Sequence, residues 1–561
     1  MRRWNGWGDE SVRATLAPEA LAFLREAVGT PQTVPDATLV AVCAGIPDSR
    51  LPPHPLVDTA PEARLRSSLG QSLGDWIALR FGALPRVSDG VTFPTHRGEV
   101  RTLLDWAQAV GALVIPCGGA TSVVGHLTPE AAEPRPVLTL NLSRMRAMTH
   151  LDAEAQLATF EAGVLGPDLE AQLRAQGFTL GHFPQSFEQA SLGGWVVTRS
   201  SGQQSLRYGR AEHWFAGGTM LAPQAEWTIP PLPASSAGPD LREWVLGSEG
   251  RLGVLTDVTV RVTQLPEVER FVGVFFPSWE AGVAATRELA QSKLGGLSML
   301  RLANAVETLT TLKLAGHASA IAWLERYLAW RGCGDGKVLL FVGLTGSAAQ
   351  VRAAEREARG LWRRHGGVGT GTVLGKKWAA KRFAGVYLRN ALWDAGFMVD
   401  TMETAVPWGR TTAMVNAIET AGREALAAMG ERCHAYTHLS HVYPTGSSVY
   451  STFVLRVGAT AEESRARWQT LKAAVTQAIV AQGGTVSHQH GVGRDHAPYL
   501  GAEKGAAGLA AIDALIAHAD PHGLLASGNL RPASALALAE PTSSVRAEGS
   551  KPSEVPPRSH P

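Results

Sequence analysis

Residues 116–123 read Pro-Cys-Gly-Gly-Ala-Thr-Ser-Val. They follow a short apolar run, Ala112 to Ile115, with the length and composition of a buried strand. Small residues after a strand let backbone N–H groups approach an anion closely, and the hydroxyls of Thr121 and Ser122 add two donors. The loop is neither G-x-G-x-x-G nor a Walker loop, which argues against a nicotinamide Rossmann unit and a P-loop. Taken alone, Gly-Gly after a strand is more often a simple turn.

Working outward, Glu99 to Gly111 places Val100, Leu103, Leu104, Ala107 and Val110 on one helical face, with Gly111 ending it. Alternation predicts strands over Val137 to Leu142 and Leu157 to Ala162. Pro167 to Gln176 reads as a helix with Pro in its first turn and Gly177 behind it. A second glycine- and hydroxyl-rich stretch runs from Gly181 to Gly209 and contains Leu192-Gly193-Gly194, then Thr198, Arg199, Ser200, Ser201 and Gly202. A surface loop is the plainer explanation, but Gly, Ser and Thr recur there around an apolar centre with almost no charge. A third piece, Leu246 to Leu255 (L-G-S-E-G-R-L-G-V-L), opens a strand from Leu252 to Val262. Helices and strands alternate throughout, which predicts an α+β domain.

Pro266 begins a second pattern. Strands are expected over Arg270 to Phe276, Ser298 to Leu302, Lys337 to Leu344, Phe397 to Glu403, His434 to Val442 and Val449 to Val457. Helices are expected over Ser278 to Gln291, Ala348 to His365, Thr411 to Met429 and Thr460 to Gln482. Together they suggest one open antiparallel sheet covered by helices. The predicted division is 1–84, an extended lead-in with one or two short helices; 85–266; 267–482; 483–540; and a disordered tail, 541–561. Leu51 to Pro55 (L-P-P-H-P) breaks any helix in the lead-in, and Gln71 to Gly82 looks helical.

The 561 residues carry 52 Lys and Arg against 50 Asp and Glu, a net charge of +2, so nothing in the balance points to nucleic acid. No run of 18 apolar residues offers a membrane span. Cys43, Cys117, Cys333 and Cys433 are far apart with no C-x-x-C pair, and the N-terminus lacks a secretory apolar core. The expected compartment is therefore the reducing cytoplasm.

The three glycine-rich pieces, in this order and spacing, resemble the flavin-binding domain of the vanillyl-alcohol-oxidase (p-cresol methylhydroxylase) superfamily. The resemblance extends to W-N-G-W-G at Trp4 to Gly8, M-E-T-A-V-P-W at Met402 to Trp408 and S-H-Q-H-G-V-G at Ser487 to Gly493. Within the superfamily it is strongest for the alkyldihydroxyacetonephosphate synthases. It implies an FAD-binding domain of two α+β subdomains (85–266), a cap domain (267–482) and a C-terminal segment (483–540) that completes the active site and the FAD domain.

Carried over by motif, Pro116, Gly118, Gly119, Ala120, Thr121 and Ser122 resemble the loop that holds the FAD diphosphate. The family usually has Gly at the Ala120 position; Ala serves there if its φ is negative. Pro184, Ser186, Ser191, Gly193, Gly194, Thr198, Ser201 and Gly202 resemble the wall around the flavin ring, ribityl chain and part of the diphosphate. Glu249, Gly250, Leu252, Gly253 and Val254 resemble the residues that receive the adenine end. No His or Cys at the glycine loop clearly matches a covalent flavin attachment, so FAD is expected to be noncovalent, with His126 and Cys117 to be watched.

Tyr450, in the Y-x-x-G-x-x-x-Y that starts at Tyr443, matches the family's catalytic tyrosine. Strand alternation puts it on a face with Thr452, Val454 and Arg456, opposite Val449, Ser451, Phe453 and Leu455. Arg389, in Y-L-R-N, matches an active-site arginine suited to a phosphate or carboxylate, and Arg301 also aligns with a family arginine. Glu403 and Trp408 read as structural. The family has three consecutive histidines where this chain has His488, Gln489 and His490. An extended segment puts both histidines on one side and Gln489 on the other, and either imidazole can take a substrate proton. His438 and His441 raise the thought of a metal, but no Cys or paired carboxylate completes a set, so none is expected.

The resemblance implies exchange of the acyl chain of acyl-dihydroxyacetone phosphate for a fatty alcohol, with oxidised flavin acting as an electrophile at N5. The alternative is oxidation of a 2-hydroxy acid or related alcohol by hydride transfer to N5, which the missing middle histidine keeps open. A small-molecule or lipid-like substrate is expected, compatible with peripheral membrane contact and with a homodimer.

Overall fold

The computed structural model describes residues 2–314 and 318–532. The tail expected at 541–561 lies outside them.

Four strands, β1 (Val57–Asp58), β2 (Gly90–Thr92), β3 (Leu113–Cys117) and β4 (Val137–Asn141), form a sheet in the order β1-β2-β4-β3. β4 runs parallel to both β2 and β3. Parallel neighbours need crossovers, and the helix Arg97–Ala109 lies between β2 and β3 in the chain. Its Val100, Leu103, Leu104 and Ala107 are fully buried. Each of the three larger side chains contributes about 1.5–3 kcal/mol. β3 leads directly into the 116–123 loop.

Next come β5 (Met148–Asp152), β6 (Leu157–Glu161), β7 (Phe178–Thr179), β8 (Phe215–Leu221), β9 (Glu226–Ile229), β10 (Val254–Arg261) and β11 (Thr263–Gln264). β7 and β11 pair with each other; the other five make an antiparallel sheet in the order β5-β6-β10-β8-β9. The first two sheets share one apolar core, which the C-terminal Ile516, Ala519, Leu524 and Leu525 help to fill.

The remaining strands are β12 (Val268–Phe276), β13 (Leu297–Ala303), β14 (Val338–Gly346), β15 (Val368–Gly369), β16 (Phe397–Pro407), β17 (His434–Leu439) and β18 (Gly446–Arg456). They form one antiparallel sheet in the order β15-β12-β14-β13-β17-β18-β16. Helices Trp279–Gln291, Ala348–Arg364, Thr411–Ala427 and Ala461–Ala481 pack on it. Val449, Phe453 and Leu455 join that helix-side core, while Tyr450 and Thr452, at the intervening positions, line a cavity on the other face. This is the α+β architecture expected, with an antiparallel, helix-covered cap sheet.

The lead-in differs from expectation. It folds into four helices, Pro18–Val28, Leu39–Ala44, Pro61–Ser68 and Leu73–Phe81. Pro18 and Pro61 begin helices, because the first turn has no use for the missing N–H, while 51–55 stays outside any helix and Leu73–Phe81 falls within the helix expected over 71–82. The last of the four opens on a capping box, Ser72 with Asp75. Its Leu73, Trp76 and Ile77, with Trp7, belong to the cap core. The W-N-G-W-G motif is held there by Asn390, whose side chain accepts from the Trp7 N–H at 3.1 Å and donates to its carbonyl at 3.0 Å.

Candidate functional site

Between the cap sheet and the two glycine-rich loops lies a cavity of about 610 Å³. Pro116, Gly118, Gly119, Ala120, Thr121 and Ser122 line it. A Cβ on Gly118 would sit 2.0 Å from Ser191 Oγ, and one on Gly119 only 1.9 Å from the Gln189 carbonyl oxygen. The loop and the 189–191 backbone are therefore in contact, and only glycine permits it. Ala120 departs from the expected conformation: its φ is +50°. A left-handed alanine costs roughly 1–2 kcal/mol. Here its methyl is buried in a cluster with Leu113, Ile115, Cys117 and Leu127, and Arg2 donates to its carbonyl at 3.0 Å.

Pro184, Ser186, Ser191, Gly193, Gly194 and Thr198 also line the cavity, as do Glu249, Gly250, Gly253 and Val254. Ser201, Gly202 and Leu252 do not. Ser201 is turned to the cap, its Oγ 3.2 Å from His441 Nδ1. Gly202 abuts the Phe183 backbone, where a Cβ would come within 2.8 Å of the nitrogen. Leu252 points into the apolar core. Cys117 and His126 line the cavity as well. His126 is engaged on both nitrogens: Nδ1 is 2.6 Å from Ser122 Oγ, and Nε2 is 2.8 Å from Glu249 Oε2, off the axis of a good hydrogen bond.

On the cap side the cavity meets Met299, Arg301, Glu307, Tyr436, His438 and Tyr450. The sheet register makes Tyr450 the partner of Glu403 on one side and of His438 on the other. The His438 ring stacks on Tyr450 with centroids 4.8 Å apart, and His490 meets Tyr450 edge-on at 5.7 Å. Burial pushes the Tyr450 hydroxyl well above the usual phenol range, so it carries its proton at neutral pH. Burial also raises the Glu307 carboxyl, but Arg301 and His438 outweigh it and hold the group at about 2.

Arg389 sits at the start of the helix Leu388–Asp394 and lines the cavity. Its Nη1 donates to the Gln71 carbonyl at 2.9 Å, and its guanidinium lies 4.5 Å over the Trp76 ring. The lead-in helix that sequence patterning left apart thus positions this cation.

The histidine segment is corrected by the fold. Residues 487–492 are bent, irregular backbone instead of a strand, with Gly491 at φ +85°. Gln489 and His490 therefore both line the cavity, and His488 does not. His488 Nδ1 donates to Glu403 Oε1 at 2.9 Å, while its Nε2 accepts from Tyr443 at 2.6 Å and Arg210 at 3.0 Å. Burial and Arg210 hold it well below the ordinary histidine range. With its lone pair taken twice over, it cannot act as a base. Burial lowers His490 too, but the Glu403 charge opposes that shift.

Glu403, fully buried, is the centre of this arrangement. His441 Nε2 lies 3.9 Å from its Oε1, and His490 Nε2 3.8 Å from an Oε2 with no hydrogen-bond partner among the described residues. Glu403, His441 and His488 have the spacing of a three-ligand cation site. Arg210, however, puts a positive charge against the His488 ring, and the hydrogen bonds already account for the geometry. The quoted M-E-T-A-V-P-W segment contained Glu403, but nothing in its spacing announced three imidazoles around it. Glu307 and Asn529 had no sequence signal at all. Asn529 lines the cavity with its buried Oδ1 unpartnered among the described residues.

The walls suit FAD. The volume is in the range of about 300–1,000 Å³ typical of cofactor pockets. The glycine loops bring backbone close on one side, and an unpartnered acceptor awaits a donor at Asn529.

Comparison with known proteins agrees. Residues 88–228 match the FAD binding domain family, and residues 265–530 match the C-terminal domain of FAD linked oxidases. The alkyldihydroxyacetonephosphate synthase of Caenorhabditis elegans is 31% identical over 84% of this chain and 80% of its own length. That of Trypanosoma brucei brucei is 29% identical over 94% of this chain and 92% of its own. A solved alkyldihydroxyacetonephosphate synthase superimposes with a TM-score of 0.80 at 25% identity, covering 93% of this chain and 98% of the other. Substrate-bound p-cresol methylhydroxylase shares the fold, with a TM-score of 0.64 at 14% identity over 93% of this chain and 98% of its own. The cofactor is FAD, and the chain belongs to the alkyldihydroxyacetonephosphate synthase family of FAD-linked enzymes.

Proposed function

We propose that this enzyme exchanges the acyl chain of an acyl-dihydroxyacetone phosphate for a long-chain alcohol, forming an ether lipid precursor. One observation carries the reading: a fixed guanidinium (Arg389), a protonated phenol (Tyr450) and a cavity-facing imidazole (His490) share the cavity that the glycine loops border. FAD bound there, noncovalently, supplies an electron-accepting ring. Thr121, Ser122, Ser186, Ser191 and Thr198 are the hydroxyl-bearing residues that would hold it.

Arg389 binds an anionic group of the substrate; its stacking on Trp76 and its bond to Gln71 pre-pay the ordering of a long side chain. Tyr450 gives its proton to the carboxylate as the C–O bond to the substrate carbon breaks, and regains one from the alcohol hydroxyl whose oxygen makes the new C–O bond. His490 takes the proton from substrate carbon. Glu403 Oε2, 3.8 Å from His490 Nε2, stabilises the imidazolium, much as a buried carboxylate does behind a catalytic histidine. Met299, Val386, Leu388, Leu392 and Val399 give the cavity an apolar wall for an aliphatic chain. Among the described residues no helix is long and apolar enough to cross a membrane. In this reading the lipid-like substrate is met by peripheral contact. All four cysteines are free, which supports a reducing cytoplasmic setting.

The test is anaerobic incubation of the yellow protein with acyl-dihydroxyacetone phosphate and labelled hexadecanol. Label in the ether product, with the flavin spectrum still oxidised at the end, supports the exchange. Bleaching by a 2-hydroxy acid without ether product would replace it with the hydride-transfer reading, which Gln489 favours because the cavity then presents one imidazole from this segment instead of two.

A further inference from the structure

Glu249 was expected to receive the adenine end of the cofactor, yet the protein itself occupies its carboxylate. Oε1 accepts from the Val492 N–H at 2.5 Å, and Oε2 accepts from the Gly493 N–H at 2.8 Å. The second oxygen also lies 2.8 Å from His126 Nε2, whose other nitrogen meets Ser122 of the diphosphate loop. Glu249 is 7% exposed. It holds a left-handed backbone, φ +51°, a conformation a non-glycine residue keeps only when its surroundings enforce it.

Val492 and Gly493 directly follow the turn that aims His490 into the cavity. The same turn rests on the loop elsewhere. The Arg494 N–H donates to the Val124 carbonyl at 3.1 Å, and a Cβ on Gly493 would strike that oxygen at 2.2 Å. A Cβ on Gly491 would lie 2.8 Å from Glu249 Oε1 and 2.9 Å from the His126 ring. Three stretches far apart in sequence, at 122–126, 249 and 491–494, thus converge on one carboxylate.

We propose that Glu249 is a positioning residue: it fastens the turn carrying His490 to the diphosphate loop, so that the imidazole is aimed by the same element that seats the cofactor. This rests on the assignment of His490 as the base. A carboxylate suits the task because its two oxygens can each accept an N–H at once. Glutamine offers one acceptor, and alanine none.

The test compares FAD-loaded wild type, Glu249→Gln and Glu249→Ala by hydrogen–deuterium exchange and by steady-state kinetics. Exchange at Val492 and Gly493 should quicken about tenfold in Glu249→Ala, as for the loss of a charge-assisted hydrogen bond, with Glu249→Gln in between. kcat should fall in the same order, by on the order of 100-fold in Glu249→Ala, with KM nearly constant, because a displaced base slows the proton step without touching the Arg389 contact. Unchanged exchange at 492–493 would overturn the proposal, and so would loss of FAD in step with activity, which would return Glu249 to cofactor binding. The exchange measurement needs no substrate. It therefore still decides the fastening if the ether-forming assay fails for wild type, and that failure would count against the proposed reaction alone.

Discussion

Glu403 and Tyr450 are direct partners across the antiparallel pairing of β16 and β18, and Tyr450 is in turn the partner of His438 on β17. One register thus sets a carboxylate, a phenol and an imidazole side by side. A one-residue slip of β18 would turn Tyr450 into the helix-side core and break the set. Tyr450→Phe keeps the packing and removes only the proton donor. It should retain FAD and lose ether formation by about 10²–10⁴-fold. Flavin absorbance and product label, measured on one sample, check both halves.

Glu403→Gln removes the charge that opposes the burial of His490. The imidazole then becomes a weaker base, with its pKa moved further down. kcat should fall, and the acidic limb of the kcat/KM profile should move to lower pH, since His490 stays neutral further into acid. A profile that keeps its acidic limb in place would show that His490 does not titrate against this carboxylate.

Gly119→Ala forces a Cβ against the Gln189 carbonyl, a backbone oxygen that cannot swing away. The variant should purify without flavin colour. Ala120→Gly is the opposite case: it relieves a left-handed alanine and should hold FAD at wild-type affinity. Because it also loses a buried methyl, its unfolding free energy should change by no more than about 1 kcal/mol in either direction. Flavin titration of the two apoproteins separates these outcomes.

His182, His441 and His496 are held at about 3 and His434 at about 4, in each case chiefly by burial. Their folded pKa values lie below the unfolded value of about 6.5, so the unfolded chain binds protons that the folded one refuses. The stability they leave intact is fully present above pH 6.5. It is lost as pH falls from there toward 4 for His434 and toward 3 for the other three, at up to about 1.4 kcal/mol per pH unit for each group. Thermal midpoints should drop steeply over that interval. His182→Gln should flatten the slope, since His182 Nδ1 accepts from Trp214 and its Nε2 meets Ser200, roles an amide can fill.

Local chemistry made much of this legible. Gly118 and Gly119 follow a buried strand, and their lack of Cβ is a backbone property readable without a fold. The alternation through 449–455 named the face of Tyr450 because a strand has a period of two. The histidines failed for the same reason: Gln489 and His490 share a side only because Gly491 permits a turn, which no two-residue period describes. Ala120 looked as if it needed a negative φ, but Arg2 and a buried methyl offset the strain from distant parts of the chain.

The sequence by itself determined most of the strands and helices, the glycine loops and the family. Only the tertiary structure decided which side chains act together. The carboxylates of Glu249 and Glu403 accept their hydrogen bonds from residues 85 or more positions away, and such contacts follow from how the domains pack and not from any local preference.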